Sequence, residues 1–143
     1  MVTLRLQGEP IWDGDAQGMG LVLDEPLSWW GGIDPETGTV IDRSHPQCGA
    51  CTTGRILVLP GGRGSSGGSA VLAESIRLRT GPAGLVLRTV DPILVVGAMV
   101  AAELYPRRRC PVVVVEHGYD LLSGHSPIRI HSDGLVEQVL PDS

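Results

Sequence analysis

Residues 55–69 read RILVLPGGRGSSGGS, and this stretch predicts a strand, a glycine loop and the start of a helix in that order. The apolar residues 55–59 form the strand, and the helix is expected over residues 70–79. A loop of this kind leaves backbone N–H groups unpaired at the helix N-terminus, which favours an anion there. It also carries two adjacent hydroxyls, Ser65 and Ser66. The loop therefore serves phosphate binding, catalysis or only a tight turn.

The residues that follow predict a parallel sheet. Residues 84–88 predict the next strand, and the almost entirely β-branched residues 111–115 predict a strand that is buried on both faces. Between them, Asp91 and Pro92 form a typical helix start, and this helix is expected to reach about Leu104. The order β-loop-α-β-α-β implies right-handed crossovers and parallel strands.

The two ends of the chain are predicted to be rich in strands. Further strands are expected at residues 3–6, 21–23, 39–41, 128–130 and 135–140, the last two as a closing hairpin. The glycines of residues 8–20 predict a loop there. The fold class is therefore α/β, with a parallel sheet core and β-rich flanks in one domain over residues 1–143.

The composition disfavours several classes of protein. The formal net charge of −5 argues against nucleic acid as a partner, and the absence of lysine leaves no lysine for a Schiff base or a phosphate clamp. The chain contains no phenylalanine, so its core must be built from valine, leucine and isoleucine. The longest apolar run, residues 93–104, is too short to span a bilayer, and no signal-like start precedes it. We expect a cytoplasmic protein that does not enter the membrane.

The glycine loop departs from both common nucleotide-binding patterns. The spacing of Gly62, Gly67 and Ser69 matches a P-loop, but Gly68 stands where the lysine that reaches the terminal phosphates is required. The spacing of Gly62, Gly64 and Gly67 fits the dinucleotide fingerprint, but no acidic residue is found at a strand end about 20 residues on. Nucleotide binding is therefore disfavoured.

A catalytic role for the loop would rest on Ser65. A serine hydroxyl is a poor base until its alkoxide is stabilised, and backbone N–H groups at a helix N-terminus stabilise an oxyanion. The alternative is that Ser65 and Ser66 only cap the helix. The residues alone leave both interpretations open.

Three linked motifs resemble one known family. They are DPxTGxVIDxxHP at residues 34–46, GRILVLP at 54–60 and GRGSSGGS at 62–69. In this order they are similar to the small subunit of aconitase X, the swivelling domain of the aconitase superfamily. The resemblance covers most of the chain and implies a swivelling-type β/β/α domain.

The resemblance also implies an activity and a partner. The family pairs this small subunit with a large subunit that carries an iron or iron–sulfur centre, so this chain is expected to bind no metal and to be inactive alone. Known members dehydrate cis-3-hydroxy-L-proline in bacteria or mevalonate 5-phosphate in archaea. The arginine-only basic composition favours the first substrate, and the second is the alternative. A hypothesis of another class is a non-catalytic domain that binds an anion or another ligand.

The resemblance assigns roles to individual residues. Ser65 is implied as the general base. The implied substrate-binding residues are Ser66, Gly64, Arg63 and His45. The wider superfamily has an arginine directly after the two serines, where this chain has Gly67. Arg63 is therefore the candidate for binding the substrate carboxylate.

Other residues suggest weaker alternatives. Cys48, Cys51 and Cys110 are possible metal ligands, but a structural site normally needs four. The adjacent Trp29 and Trp30 are interpreted as core packing or a subunit interface.

Two further groups of residues suggest sites. The histidines at 117, 125 and 131, with Asp120 and nearby serines, suggest a triad, but no nucleophile-elbow pattern surrounds them. Residues 107–109, three arginines, predict a solvated loop after a helix, with a phosphate or subunit contact as the alternative.

Overall fold

A computed structural model describes residues 1–62 and 66–141. The strands are β1 (Val2–Gln7), β2 (Glu9–Trp12), β3 (Ala16–Val22), β4 (Ile33–Asp34), β5 (Thr39–Val40), β6 (Ile56–Leu59), β7 (Gly84–Leu87), β8 (Val112–Val114), β9 (Pro127–Ile130) and β10 (Leu135–Leu140). The helices are α1 (Trp29–Gly32), α2 (Gly67–Arg77) and α3 (Pro92–Leu104), with a 3₁₀ turn at Tyr119–Leu121. No helix in the described part is long and apolar enough to cross a membrane.

The described strands form one large mixed sheet and a small one. The order in the large sheet is β1-β10-β9-β3-β6-β7-β8-β2, and β4 pairs with β5. The central strands β3, β6, β7 and β8 are parallel, whereas β9, β10, β1 and β2 are joined to the sheet by antiparallel pairing. The prediction of a parallel core with β-rich flanks is confirmed. Because only Gly8 separates β1 from β2, which lie at opposite edges, the sheet has to curl.

The core lies on both faces of the sheet because strand side chains alternate. In β6, Leu57 and Leu59 pack toward the helices, and Ile56 and Val58 pack into the cluster on the opposite face. The same alternation divides the valines of β8, so the predicted burial of this strand on both faces is confirmed. Burial of these side chains holds the carboxyl ends of β6 and β7 side by side.

The prediction of a loop at residues 8–20 is wrong. This segment forms β2 and most of β3. Pro10 is tolerated because β2 is an edge strand. Gly18 marks a close approach of two backbones, since a Cβ there would lie 2.2 Å from the carbonyl oxygen of Gly54. Glycine in this stretch therefore reflects packing within a sheet.

The turn between β4 and β5 allows a test of the fold with a matched control. Gly38 has φ +75°, and a Cβ there would lie 2.2 Å from the Thr80 carbonyl oxygen. Gly31 has φ +79°, with nothing within 4 Å of the same position. We expect Gly31→Ala to lower the free energy of unfolding by about 1 kcal/mol, the cost of the left-handed conformation. We expect Gly38→Ala to lower it by about 3 kcal/mol, because the clash adds to this cost. Urea unfolding measures both, and equal losses would contradict the close approach of the Thr80 carbonyl to Gly38.

Candidate functional site

Two connections run side by side at the carboxyl edge of the parallel strands. The glycine loop follows β6, and residues 88–91 follow β7. The Arg88 N–H donates to the Leu59 carbonyl at 3.3 Å. The Thr89 N–H and hydroxyl both donate to the Pro60 carbonyl, at 3.3 and 3.2 Å. The first residues of the glycine loop are therefore fixed by the connection that follows the neighbouring strand.

The Asp91 carboxylate lies directly beside this loop. Its side chain is largely buried, with the residue 9% exposed, and Oδ1 accepts a hydrogen bond from the Ile93 N–H at 2.9 Å. This bond caps α3, as the Asp91-Pro92 pattern predicts. The other oxygen, Oδ2, would lie 2.0 Å from a Cβ at Gly62. Only glycine lets the loop backbone pass this carboxylate.

The position of Asp91 beside the loop is not predicted from the sequence. The Asp91-Pro92 pattern predicts only a helix cap, and no acidic residue near the loop is expected from it. The strand order does contain a signal for this position, because neighbouring parallel strands end at the same edge of a sheet. An acidic residue shortly after β7 therefore has to lie near a loop that follows β6.

The N-terminus of α2 is packed tightly against its neighbours. Ser66 takes the N-cap position, but its side chain makes no capping hydrogen bond. The Ser69 hydroxyl donates to the Ile93 carbonyl at 2.6 Å and so ties α2 to the first turn of α3. A Cβ at Gly68 would lie 3.3 Å from Ile93 Cγ2 and 3.5 Å from Trp29 Cβ. The position that a P-loop gives to lysine is therefore enclosed by other residues.

Three of the predicted site residues lie outside the described part of the chain. They are Arg63, Gly64 and Ser65. Ser66 is described and exposed at the start of α2. The roles of these four residues stay predictions.

His45 is buried, with 5% of the residue exposed. Its Nε2 lies 3.0 Å from the Glu25 carbonyl oxygen, and its Nδ1 accepts from the Gln47 N–H at 3.0 Å. Leu27, close to Glu25 in the chain, forms a parallel β-bridge with Gly62. His45 thus holds the segment that pairs with the glycine loop. A direct contact between His45 and a substrate stays a prediction.

The two adjacent tryptophans have different environments. Trp29 is 2% exposed and belongs to the core beneath the helices, whereas Trp30 is 64% exposed. The Trp30 backbone N lies 3.7 Å from the Cβ position of Gly68, so the exposed ring belongs to the surface around the start of α2. Trp29 therefore fits the packing interpretation, and Trp30 is available for a contact.

The cysteines do not form a metal site in the described part of the chain. Cys48 and Cys51 are exposed, Cys110 is buried, and no three metal-ligating side chains converge among the described residues. These donors do not fit an iron centre. A hydrogen bond with Thr53 lowers the pKa of the Cys51 thiol, whereas burial raises the pKa of Cys110 to about 12.

The residues of the possible triad are used elsewhere. His131 pairs with Glu137, and this hydrogen bond is the main cause of a lowered pKa at Glu137. Asp120 pairs with Arg88 at the surface. The structure does not bring these groups together as a triad.

These features define a mixed α/β domain of the swivelling type, with a glycine loop at the carboxyl edge of its parallel strands. The family model of the aconitase X swivel domain matches residues 5–138. The chain therefore belongs to the aconitase X swivel-domain family.

Similar proteins agree with this assignment. A cis-3-hydroxy-L-proline dehydratase of Pseudomonas aeruginosa is 44% identical over 124 residues, which cover 87% of this chain and 21% of that protein. A phosphomevalonate dehydratase small subunit of Methanopyrus kandleri is 57% identical over 79 residues, covering 55% of this chain and 58% of that protein. The matched segment thus spans about one fifth of the length of the Pseudomonas protein and less than two thirds of the length of the Methanopyrus protein.

A solved structure shows the same fold. A chain of Thermococcus kodakaraensis aconitase X, in its holo-form, superposes with a TM-score of 0.85 and 32% identity. The match covers 96% of this chain and 99% of that chain. The swivelling-type fold is confirmed.

Substitutions at Asp91 separate its capping role from its charge. We expect Asp91→Ala to lower the free energy of unfolding by about 1 kcal/mol, because the cap of α3 is lost. Asp91→Asn keeps an oxygen acceptor and is expected to stay within about 0.5 kcal/mol of the parent protein. Urea unfolding of both variants checks this. An equal loss in both would show that the charge, not the cap, stabilises the fold.

The cysteine environments predict an order of alkylation. With iodoacetamide, Cys51 is expected to react at a lower pH than an ordinary thiol, because its thiolate is stabilised. Cys110 is expected to stay unmodified in the folded protein and to react only in urea, since it is buried. Peptide mass spectrometry gives the modified fraction at each site. Alkylation of Cys110 as fast as Cys51 without urea would contradict the structure.

Proposed function

We propose that this chain is the small, swivelling part of a hydro-lyase that dehydrates a hydroxy acid. The observation that carries the proposal is the order of the sequence, in which the Ser65-Ser66 pair stands between the fixed residues up to Gly62 and the first residue of α2, Gly67. The dehydratase names of the two relatives support the same activity. The first candidate substrate is cis-3-hydroxy-L-proline, and a cytoplasmic location is part of the proposal.

Ser65 is proposed as the base. It removes a proton from the carbon next to the one that bears the departing hydroxyl. The electron pair of that C–H bond becomes the new double bond, and the departing hydroxyl takes up a proton from solvent and leaves as water. The dipole of α2 favours the charged form of Ser65 at its N-terminal end. α2 has 11 residues, enough for three full turns behind this position.

The remaining loop residues are proposed to bind the substrate. Ser66 and the Gly64 backbone contact it, and Arg63 pairs with its carboxylate in place of the superfamily arginine that Gly67 replaces. A guanidinium suits this role because it forms two parallel hydrogen bonds to a carboxylate. His45 completes the set through its hold on the segment beside Gly62.

A large subunit is proposed to complete the site and to carry the iron or iron–sulfur centre. The described cysteines of this chain do not fit such a centre, so no step is assigned to it. The exposed ring of Trp30 and the exposed Ile41 support a protein contact near the loop. The segments that carry these two residues are neighbours, because the Ile41 N–H donates to the Gly32 carbonyl at 2.9 Å.

Mevalonate 5-phosphate is the alternative substrate. The observation that favours it is the 57% identity to a phosphomevalonate dehydratase small subunit, although over a shorter segment. The alternative of another class, a non-catalytic ligand-binding domain, would keep the loop without requiring the base.

The base assignment is tested with the assembled complex of this chain and its large subunit. We expect Ser65→Ala to lower kcat by about 100- to 10,000-fold, the usual contribution of a general base, while the complex still assembles. Ser66→Ala is expected to raise KM more than it lowers kcat. Ser132→Ala, in the β9–β10 turn, is the matched control and is expected to behave like the parent protein. Turnover is measured with each of the two candidate substrates.

Retained turnover in Ser65→Ala would exclude Ser65 as the base. Turnover of mevalonate 5-phosphate alone would select the alternative substrate. An assembled complex that turns over neither substrate, with the parent sequence intact, would favour the non-catalytic domain.

A further inference from the structure

A cleft of about 340 Å³ opens at the end of the sheet opposite to the glycine loop. Gly54, Pro82 and Cys110 line it, and these residues precede β6, β7 and β8 respectively. The cleft therefore lies at the amino edge of the parallel strands. The glycine loop follows β6 and lies at the carboxyl edge, so the two sites are separate.

The rim of this cleft is strongly cationic. It carries Arg79, Arg107, Arg108 and Arg109, and no aspartate or glutamate lines it among the described residues. The chain has 11 arginines and a net charge of −5. A single cleft thus holds four of the 11 arginines of a protein with a negative net charge. The local positive charge favours an anionic ligand.

Two of these arginines are held in place by the protein. The Arg109 guanidinium lies over the Trp12 ring, 4.0 Å from its centroid, and donates to the carboxylate and the carbonyl of Asp13. Arg108 donates to the carbonyl of Arg77. The rim is therefore ordered before any ligand binds, which reduces the entropy lost on binding.

The other two arginines have no protein acceptor in the described part of the chain. Neither the Arg79 nor the Arg107 guanidinium forms a hydrogen bond or ion pair with the described residues. Arg79 also has φ +63°, a conformation in which glycine is normally favoured. A backbone of this kind that keeps a long cationic side chain suggests a function for that side chain.

The floor of the cleft is apolar. Ile76, Pro82 and Cys110 are buried there. Burial keeps the Cys110 thiol neutral at physiological pH, since its pKa is raised to about 12. An apolar floor beneath a cationic rim suits an anion with an organic body better than a bare inorganic ion.

We propose that this cleft binds a small phosphorylated organic compound, with its phosphate on Arg79 and Arg107. Guanidinium groups match phosphate oxygens with paired N–H donors. The proposal does not rest on the dehydratase activity, because the cleft shares no residue with the glycine loop.

The test is an NMR titration of the full ¹⁵N-labelled chain with phenyl phosphate and, separately, with inorganic phosphate. We expect the arginine Nε–H signals of the cleft to shift with a Kd below about 1 mM for phenyl phosphate, and weaker binding of inorganic phosphate. Arg107→Gln is expected to weaken binding about tenfold by removing a charge-assisted bond. Arg79→Gly should do the same without loss of folding, since glycine suits that φ. Higher salt should weaken phenyl phosphate binding by the parent protein and by each folded variant.

Arg129→Gln is the matched control, because it removes one exposed arginine from β9, outside the cleft. It is expected to leave the Kd unchanged. Equal weakening by this control would reduce the binding to general charge attraction and overturn the proposal. Absence of phenyl phosphate binding, with Arg107→Gln impairing assembly with the large subunit, would also overturn it and assign the cleft to a protein contact.

Discussion

At Gly62 the backbone passes the buried carboxylate of Asp91, and the arrangement of the site depends on this close contact. One carboxylate oxygen caps α3 while the other faces Gly62. Because Leu27 bridges to Gly62 and Ser69 bonds to the first turn of α3, three segments that are distant in sequence are fixed together: the one around Leu27, the two ends of the glycine loop, and the start of α3. The loop residues up to Gly62 are therefore held in place before any ligand binds, which reduces the entropy lost on binding.

The sequence was sufficient for the elements whose signal is local. The apolar strands β6 to β8 and the Asp91-Pro92 helix start follow from side-chain pattern and capping chemistry. The strand β2 and the first part of β3 were missed, because Pro10 lies in an edge strand and Gly18 lies where another backbone approaches. Such causes are long-range and leave no periodic pattern.

The features of the candidate site also fall into those with a local sequence signal and those that depend on the fold. The serine pair is predicted from the linked motifs, since each motif is contiguous in the sequence, and its role stays a prediction. The position of Asp91 beside the loop and the hold of His45 on Glu25 depend on which strands are neighbours. The contrast between Trp29 and Trp30 depends on the kink of α1, where Gly31 has φ +79°. The first two features follow from which segments are neighbours in the fold, and the third follows from the local backbone of α1.

The two ends of the sheet differ in chemistry. The carboxyl edge carries a buried carboxylate and exposed apolar side chains, and the amino edge carries four arginines around one cleft. The central claim is that the carboxyl edge meets the large subunit. Hydrogen exchange of the chain, alone and in the complex, tests it most directly. We predict protection at residues 27–32, 60–69 and 88–93. Protection confined to residues 79–82 and 105–110, with the loop edge unchanged, would contradict this claim.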